Sequence, residues 1–146
     1  MSQQEDERYM RLALEEAQLA YEAGEIPIGA IVVCDGRVIA RAHNEVERLS
    51  DPTAHAEVLA VTAATQYMGS KFLGDCRLYV TIEPCTMCAG ALHWARLGEV
   101  IYGASEEKFG YQRYAPDIFP RATKVRGGVL AEEARALMQS FFRARR

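Results

Sequence analysis

Between residues 31 and 40 the chain reads Ile31-Val32-Val33-Cys34, then Asp35-Gly36, then Val38-Ile39-Ala40 after Arg37. Two apolar runs joined by Asp-Gly are a strong short-range signal for a β-hairpin, because the turn that matches strand twist needs positive φ at both central residues. Beyond the hairpin, helices and strands alternate. Ala54 to Tyr67 reads as a helix, Leu78 to Ile82 as a strand and Val100 to Tyr102 as another. Pro84 introduces a helix from about Cys85 to Arg96, since proline suits the start of a helix. Ahead of the hairpin, Tyr9, Met10, Ala13, Leu14, Ala17 and Ala20 recur at helical spacing, with Gly24 as a stop. Ala131 to Arg145 is a closing helix with Ala134, Leu137, Met138, Phe141 and Phe142 on one side, and a short strand is placed near Val125. Residues 105–121 hold Gly110, Pro116 and Pro120 and show no clear period. The order predicts an α/β fold in one domain spanning 1–146: a mixed five-stranded sheet, three layers in all, with helices on both faces. The hairpin is expected to be antiparallel and the strands joined through helices parallel.

Composition narrows the function classes. The chain is 49% apolar and 25% charged, an ordinary globular balance. A chain of this size buries enough surface to fold without disulfides. No apolar run approaches the ~20 residues of a membrane span. Met1 to Glu7 is polar and acidic and lacks the regions of a secretion signal, so the expected location is cytoplasmic. In that compartment a close cysteine pair points to metal or redox chemistry. Cys34 and Cys76, in apolar strand-like stretches, read instead as small core residues. The net charge of −3 is unevenly spread, at −7 over residues 1–100 and +4 over 101–146. Such asymmetry points to a polyanion site in the basic part; the alternative is a solvated, mixed-charge surface.

Two short segments carry chemistry: His55-Ala56-Glu57 and, about thirty residues on, Pro84-Cys85-Thr86-Met87-Cys88. In that order they match the signature of zinc-dependent nucleobase deaminases. Alone, Cys-x-x-Cys is more often a structural zinc or redox pair, and His-x-Glu means little. Cys85 and Cys88 are three apart in the first turn of a helix, so the thiols share a face and the helix dipole favours thiolates. With His55 they make a Cys2His set, whose open fourth position marks a catalytic zinc. Glu57 is expected to move the proton of a zinc-activated water rather than to bind the metal. Two residues apart on a helix lie on nearly opposite faces. His55 and Glu57 therefore share a site only at a helix entrance, after the turn expected at Asp51-Pro52. His43, ending a strand, and His93, within a helix, read as surface or hydrogen-bonded core residues.

The chain resembles the bacterial tRNA-specific adenosine deaminase family over nearly its whole length. The stretches that carry the likeness are Gly24 to Ala30 (GEIPIGA), Asn44, Asp51 to Glu57 (DPTAHAE), Leu78 to Gly90 (LYVTIEPCTMCAG), Gly103-Ala104 and Phe141 to Arg146 (FFRARR). The resemblance implies a cytidine-deaminase-like fold, one Zn2+ per subunit, a homodimer and the conversion of the wobble adenosine of a tRNA anticodon to inosine. It implies that Asn44 hydrogen-bonds the base and that Ile26, Pro27, Ile28, Ala56 and Pro84 surround it. The anticodon stem-loop would be held by the 105–114 loop and the last helix, through Glu106, Lys108, Phe142, Arg143, Arg145 and Arg146. Members often carry Asp and then Lys-Thr-Gly after Gly-Ala, whereas this chain has Ser105-Glu106-Glu107-Lys108-Phe109-Gly110. His93-Trp94-Ala95-Arg96 is similar to guanine deaminases of the same superfamily.

The competing reading is a deaminase of free guanine, cytosine or a nucleoside, with the same metal and Glu57. A third is a zinc-stabilised RNA-binding module without catalysis, which needs a fourth protein ligand. The basic tail favours RNA, because a base held in an anticodon loop must be splayed out while Lys and Arg hold its phosphates. Of Phe141 and Phe142, at least one is expected in the core. The helix after Cys88 carries Leu92, Trp94 and Leu97, apolar on more than one side as a helix against a partner would be.

Overall fold

A computed structural model describes residues 2–145. The chain opens with α1 (Gln3–Glu22), where the Ser2 side chain accepts the Glu5 amide and so caps the entrance. The hairpin follows as β1 (Gly29–Cys34) and β2 (Arg37–His43). Asp35 and Gly36 sit at φ 52° and 73°, the positive values that Asp-Gly supplies. Then come α2 (Val46–Leu49), α3 (Ala56–Met68), β3 (Cys76–Ile82), α4 (Thr86–Trp94), β4 (Glu99–Ala104), α5 (Tyr111–Tyr114), β5 (Lys124–Arg126) and α6 (Ala131–Arg143). Sequence periodicity does not reveal α2 or α5, because a single turn is too short for a 3.6-residue period to show.

The five strands lie in the order β2-β1-β3-β4-β5. Parallel pairing holds where expected, between β3 and β4 and between β4 and β5. The α3 crossover from β2 to β3 passes over β1, which pairs antiparallel with both neighbours. Side chains alternate across the sheet. Ala30, Val32, Leu78, Val80 and Val100 pack under α3 and α4 with Ala56, Ala60, Ala64, Ala89 and Leu92. Ile31, Val33, Tyr79 and Ile101 face α1 with Tyr9, Met10 and Ala13, while Ile82 and Ala104 meet Ala134 of α6. The three layers are thus helices, sheet, helices. At Gly29, α1 comes so close that a Cβ would overlap the Ala13 carbonyl and the Ala17 amide.

Polar ties brace the outer layer. Both oxygens of buried Asp6 take the Arg126 guanidinium at 2.8 Å, and one also accepts the Tyr79 hydroxyl at 2.8 Å. Burial pushes the Asp6 carboxyl up, but these bonds outweigh it and hold it below its ordinary value. For the site, the decisive register is Ile82 against Ala104 at the carboxyl ends of parallel β3 and β4. The loops leaving those ends emerge side by side, the usual place for ligands in an open α/β sheet.

Candidate active site

His55 is the N-cap of α3, with extended backbone at φ −80° and ψ 151°. The approach is built by Asp51, whose Oδ1 accepts the Thr53 amide at 2.8 Å and the Thr53 hydroxyl at 2.7 Å. Asn44 secures the helix entrance, its Oδ1 accepting the Ala56 amide at 2.8 Å. Because His55 stands outside the first turn, its imidazole is freed from the helical face rule, and Glu57, inside that turn, shares the same cavity wall. Cys85 likewise is the N-cap of α4, not its first helical residue, and Cys88 lies in the first turn.

The two helix entrances bring three donors to one point. His55 Nδ1 lies 3.7 Å from Cys85 Sγ and 3.5 Å from Cys88 Sγ, and the ligand atoms of all three residues lie within 4.8 Å of one another. The hydrogen bond from Cys88, aided by His55, pulls the Cys85 thiol down to about 4. Cys88 goes the other way, its proton held by the bond to Cys85 and by burial. The bond to Cys85 raises His55. Burial pushes Glu57, only 4% exposed, up to about 7. Two adjacent thiols ionise together only opposite a cation, and an imidazole with two thiols is a borderline-soft donor set. These residues therefore fit a metal ion.

A cavity of about 1040 Å³ opens over this point, with His55, Glu57 and Cys85 in its wall. Ile26 and Ile28 line it, with the segment from Ala104 to Phe109 and a face of α6 carrying Arg135, Met138, Gln139, Phe142 and Arg143. A neighbouring cavity of about 490 Å³ shares Ile26, Ile28 and His55 and adds Asn44, Glu25, Phe141 and Arg145. Pro27, Ala56 and Pro84 are buried, and neither cavity wall includes them.

Of the residues expected to face RNA, Glu106, Lys108, Phe142 and Arg143 line the larger cavity. Phe141 is in the core at 3% exposure and Phe142 is 46% exposed. Arg145 is engaged: it lies 3.8 Å from the Phe141 ring centroid and donates to the Gly24 carbonyl at 3.3 Å. Its contacts fasten α6 to the end of α1, while the residue stays exposed in the wall of the smaller cavity. Arg146 lies outside the described residues. His43 bonds Glu16 at 2.9 Å and His93 bonds the Ile118 carbonyl at 2.6 Å. Cys34 and Cys76 are buried partners across β1 and β3. Leu92 and Leu97 are consumed by the core, leaving Trp94, 71% exposed, as the outward apolar residue of that trio.

Sequence reasoning passed over Arg135 and Gln139. With Phe142 and Arg143 they repeat at i, i+4, i+7 and i+8, a spacing that marks one helix face. It also passed over Glu25 and Glu83. Their oxygens accept backbone amides, Glu25 those of Glu47 and Arg48 and Glu83 those of Glu106 and Gln112. Nothing local marks a Glu for such a role.

A MafB19-like deaminase model matches residues 4–146. The tRNA-specific adenosine deaminase of Streptococcus pyogenes serotype M18 is 42% identical over 147 aligned positions, covering 97% of this chain and 92% of the relative. A solved tRNA:A34 deaminase, studied for A-to-I editing at the wobble position of transfer RNA, superposes with a TM-score of 0.83 at 41% identity, covering 89% of this chain and 98% of that one. The guanine deaminase of Bacillus subtilis gives a TM-score of 0.66 at 42% identity over 71% of this chain and 70% of that one.

Proposed function

Because this chain belongs to the family of tRNA-specific adenosine deaminases, we propose that it hydrolyses the wobble adenosine of a tRNA anticodon to inosine, releasing ammonia. The observation that carries this reading is the cavity. At about 1040 Å³ it stands at the top of the range for small-molecule sites, far more room than one free base fills. Its rim offers Lys108, Arg135 and Arg143, cations suited to the phosphates flanking a splayed-out nucleotide.

His55, Cys85 and Cys88 would hold one Zn2+. When bound, the ion supplies a water of lowered pKa as nucleophile. Glu57 moves the protons. Burial raises this carboxyl, which suits a group that both accepts and releases protons near neutrality. It would take one proton from the attacking water and deliver it to the purine ring nitrogen, then take the second from the hydroxyl so formed and deliver it to the departing amine. Asn44, with its oxygen committed to Ala56, keeps its amide NH2 to orient the base. Ile26 and Ile28 supply apolar walls. Phe142 offers a ring for an unpaired base to stack on.

The test is an assay of the zinc-loaded protein on an anticodon stem-loop with adenosine at the wobble position, beside free guanine, cytosine and adenosine. Ammonia release from the stem-loop alone is expected; turnover of free guanine with an inert stem-loop would sink the tRNA reading. We also place the enzyme in the cytoplasm and as a homodimer. Among the described residues no helix is long and apolar enough to cross a membrane. Exposed Trp94 and Met87 lie on α4, and a partner would cover them. A dimer mass by light scattering at micromolar concentration is expected, and a monomer would refute it.

A further inference from the structure

Glu83 sits between β3 and Pro84, in the wall of the same cavity as Glu57, and the proton transfers proposed above do not use it. It is 5% exposed, and its oxygens reach across to the loop after β4. One accepts the Glu106 amide at 3.0 Å, the other the Gln112 amide at 3.2 Å. The backbone follows the same path. The Glu83 amide donates to the Ala104 carbonyl at 2.8 Å, the Tyr111 amide donates to the Pro84 carbonyl at 2.9 Å, and Cys85 makes a β-bridge to Gly110. Glu106, so held, accepts the Lys108 amide at 2.8 Å on its own Oε1. Hydrogen bonds therefore run from Glu83 through Glu106 to Lys108, and both of these loop residues line the cavity.

Gly110 supports the same reading from the other side. Its φ of −63° suits any residue, so backbone conformation does not demand glycine there. Space does: a Cβ would overlap the Glu83 carboxylate and the Glu106 carbonyl.

We propose that Glu83 is a positioning residue, which sets the 105–112 loop as the polynucleotide-facing wall of the cavity and so governs how tightly substrate is held rather than the chemical step. The inference rests on the tRNA reading of the cavity. A carboxylate is suited to the task because both oxygens accept, and amide bonds to a charged acceptor are among the stronger ones.

Glu83→Gln keeps the shape but turns one acceptor into an NH2 group facing an amide N–H. On the zinc-loaded protein, KM for the anticodon stem-loop is expected to rise about tenfold or more, with kcat within about threefold. Zinc content should hold, Tm should fall by no more than roughly ten degrees, and the Glu106 and Gln112 amides should exchange faster with solvent. Gly110→Ala attacks the same contact and is expected to give the same split between KM and kcat. Unchanged amide exchange would overturn the hold on the loop. Faster exchange with unchanged KM in both variants would overturn the role in substrate binding, as would a kcat collapse or loss of zinc in Glu83→Gln. If the wild-type protein fails to deaminate the stem-loop, the tRNA reading falls and takes the substrate-binding part with it; the exchange measurement still decides whether Glu83 sets the loop.

Discussion

Glu57→Ala is expected to lose at least about a thousandfold in kcat on the stem-loop while keeping its zinc, since general acid–base groups contribute roughly 10²–10⁴. Geometry is the first reason. Glu57 lies in the first turn of α3, buried, in the same cavity wall as His55 and Cys85, but it is not one of the three residues whose ligand atoms converge. Removing it leaves the donors in place. Glu57→Gln should behave alike, because it keeps the shape but carries no transferable proton of suitable pKa. Metal content by elemental analysis, single-turnover rates and a melting curve read the three consequences separately. Loss of zinc in either variant would make Glu57 a ligand and overturn the assignment; activity within about tenfold of wild type would remove it from the proton path.

Cys88→Ala is expected to abolish both zinc retention and activity. Cys88 is fully buried in the first turn of α4, with its sulfur 3.5 Å from His55 Nδ1. Without it two donors remain, too few for the three-ligand site that keeps a catalytic zinc in place. Ligand binding to the folded state stabilises it by about 4 kcal/mol at a thousandfold excess over Kd. Added zinc should therefore raise the Tm of metal-stripped wild type by several degrees and leave that of the variant unmoved. The substitution removes a single sulfur atom from the core, so the metal-free variant should still fold. A variant that retains one zinc per chain would show that the ion sits elsewhere.

Much of this site was legible because its chemistry is written in neighbours. His55, Glu57, Cys85 and Cys88 are recognisable from residue type and spacing, and Pro84 announces the helix that begins after Cys85. The angular conflict between His55 and Glu57 was legible too, but not its resolution. That depends on the Asp51 turn and on Asn44, whose oxygen holds the Ala56 amide. Asn44 thus performs a capping role at the helix entrance, which is compatible with the proposed use of its NH2 group on the base. The tail divided in a way composition does not show. Phe141 and Arg145 fasten α6 to α1, while Phe142 and Arg143 face the cavity. A run of aromatic and basic residues has the same composition whichever member turns inward.

What the sequence by itself determined is local: the hairpin at Asp35-Gly36, the alternation of strands and helices, and the His-Cys-Cys donor set with a carboxyl two residues beyond its histidine. Turn dihedrals, hydrophobic period and ligand softness are properties of residues a few positions apart. Tertiary structure alone decided which elements adjoin. It placed β1 between β2 and β3, set Ile82 beside Ala104, laid the α6 face with Arg135 and Gln139 along the cavity, and ran Glu83 to amides 23 and 29 residues away. The physical reason is that such contacts form only when burial of two distant apolar faces outweighs the entropy of closing the chain between them. That balance belongs to the whole fold, and no short stretch of the chain contains it.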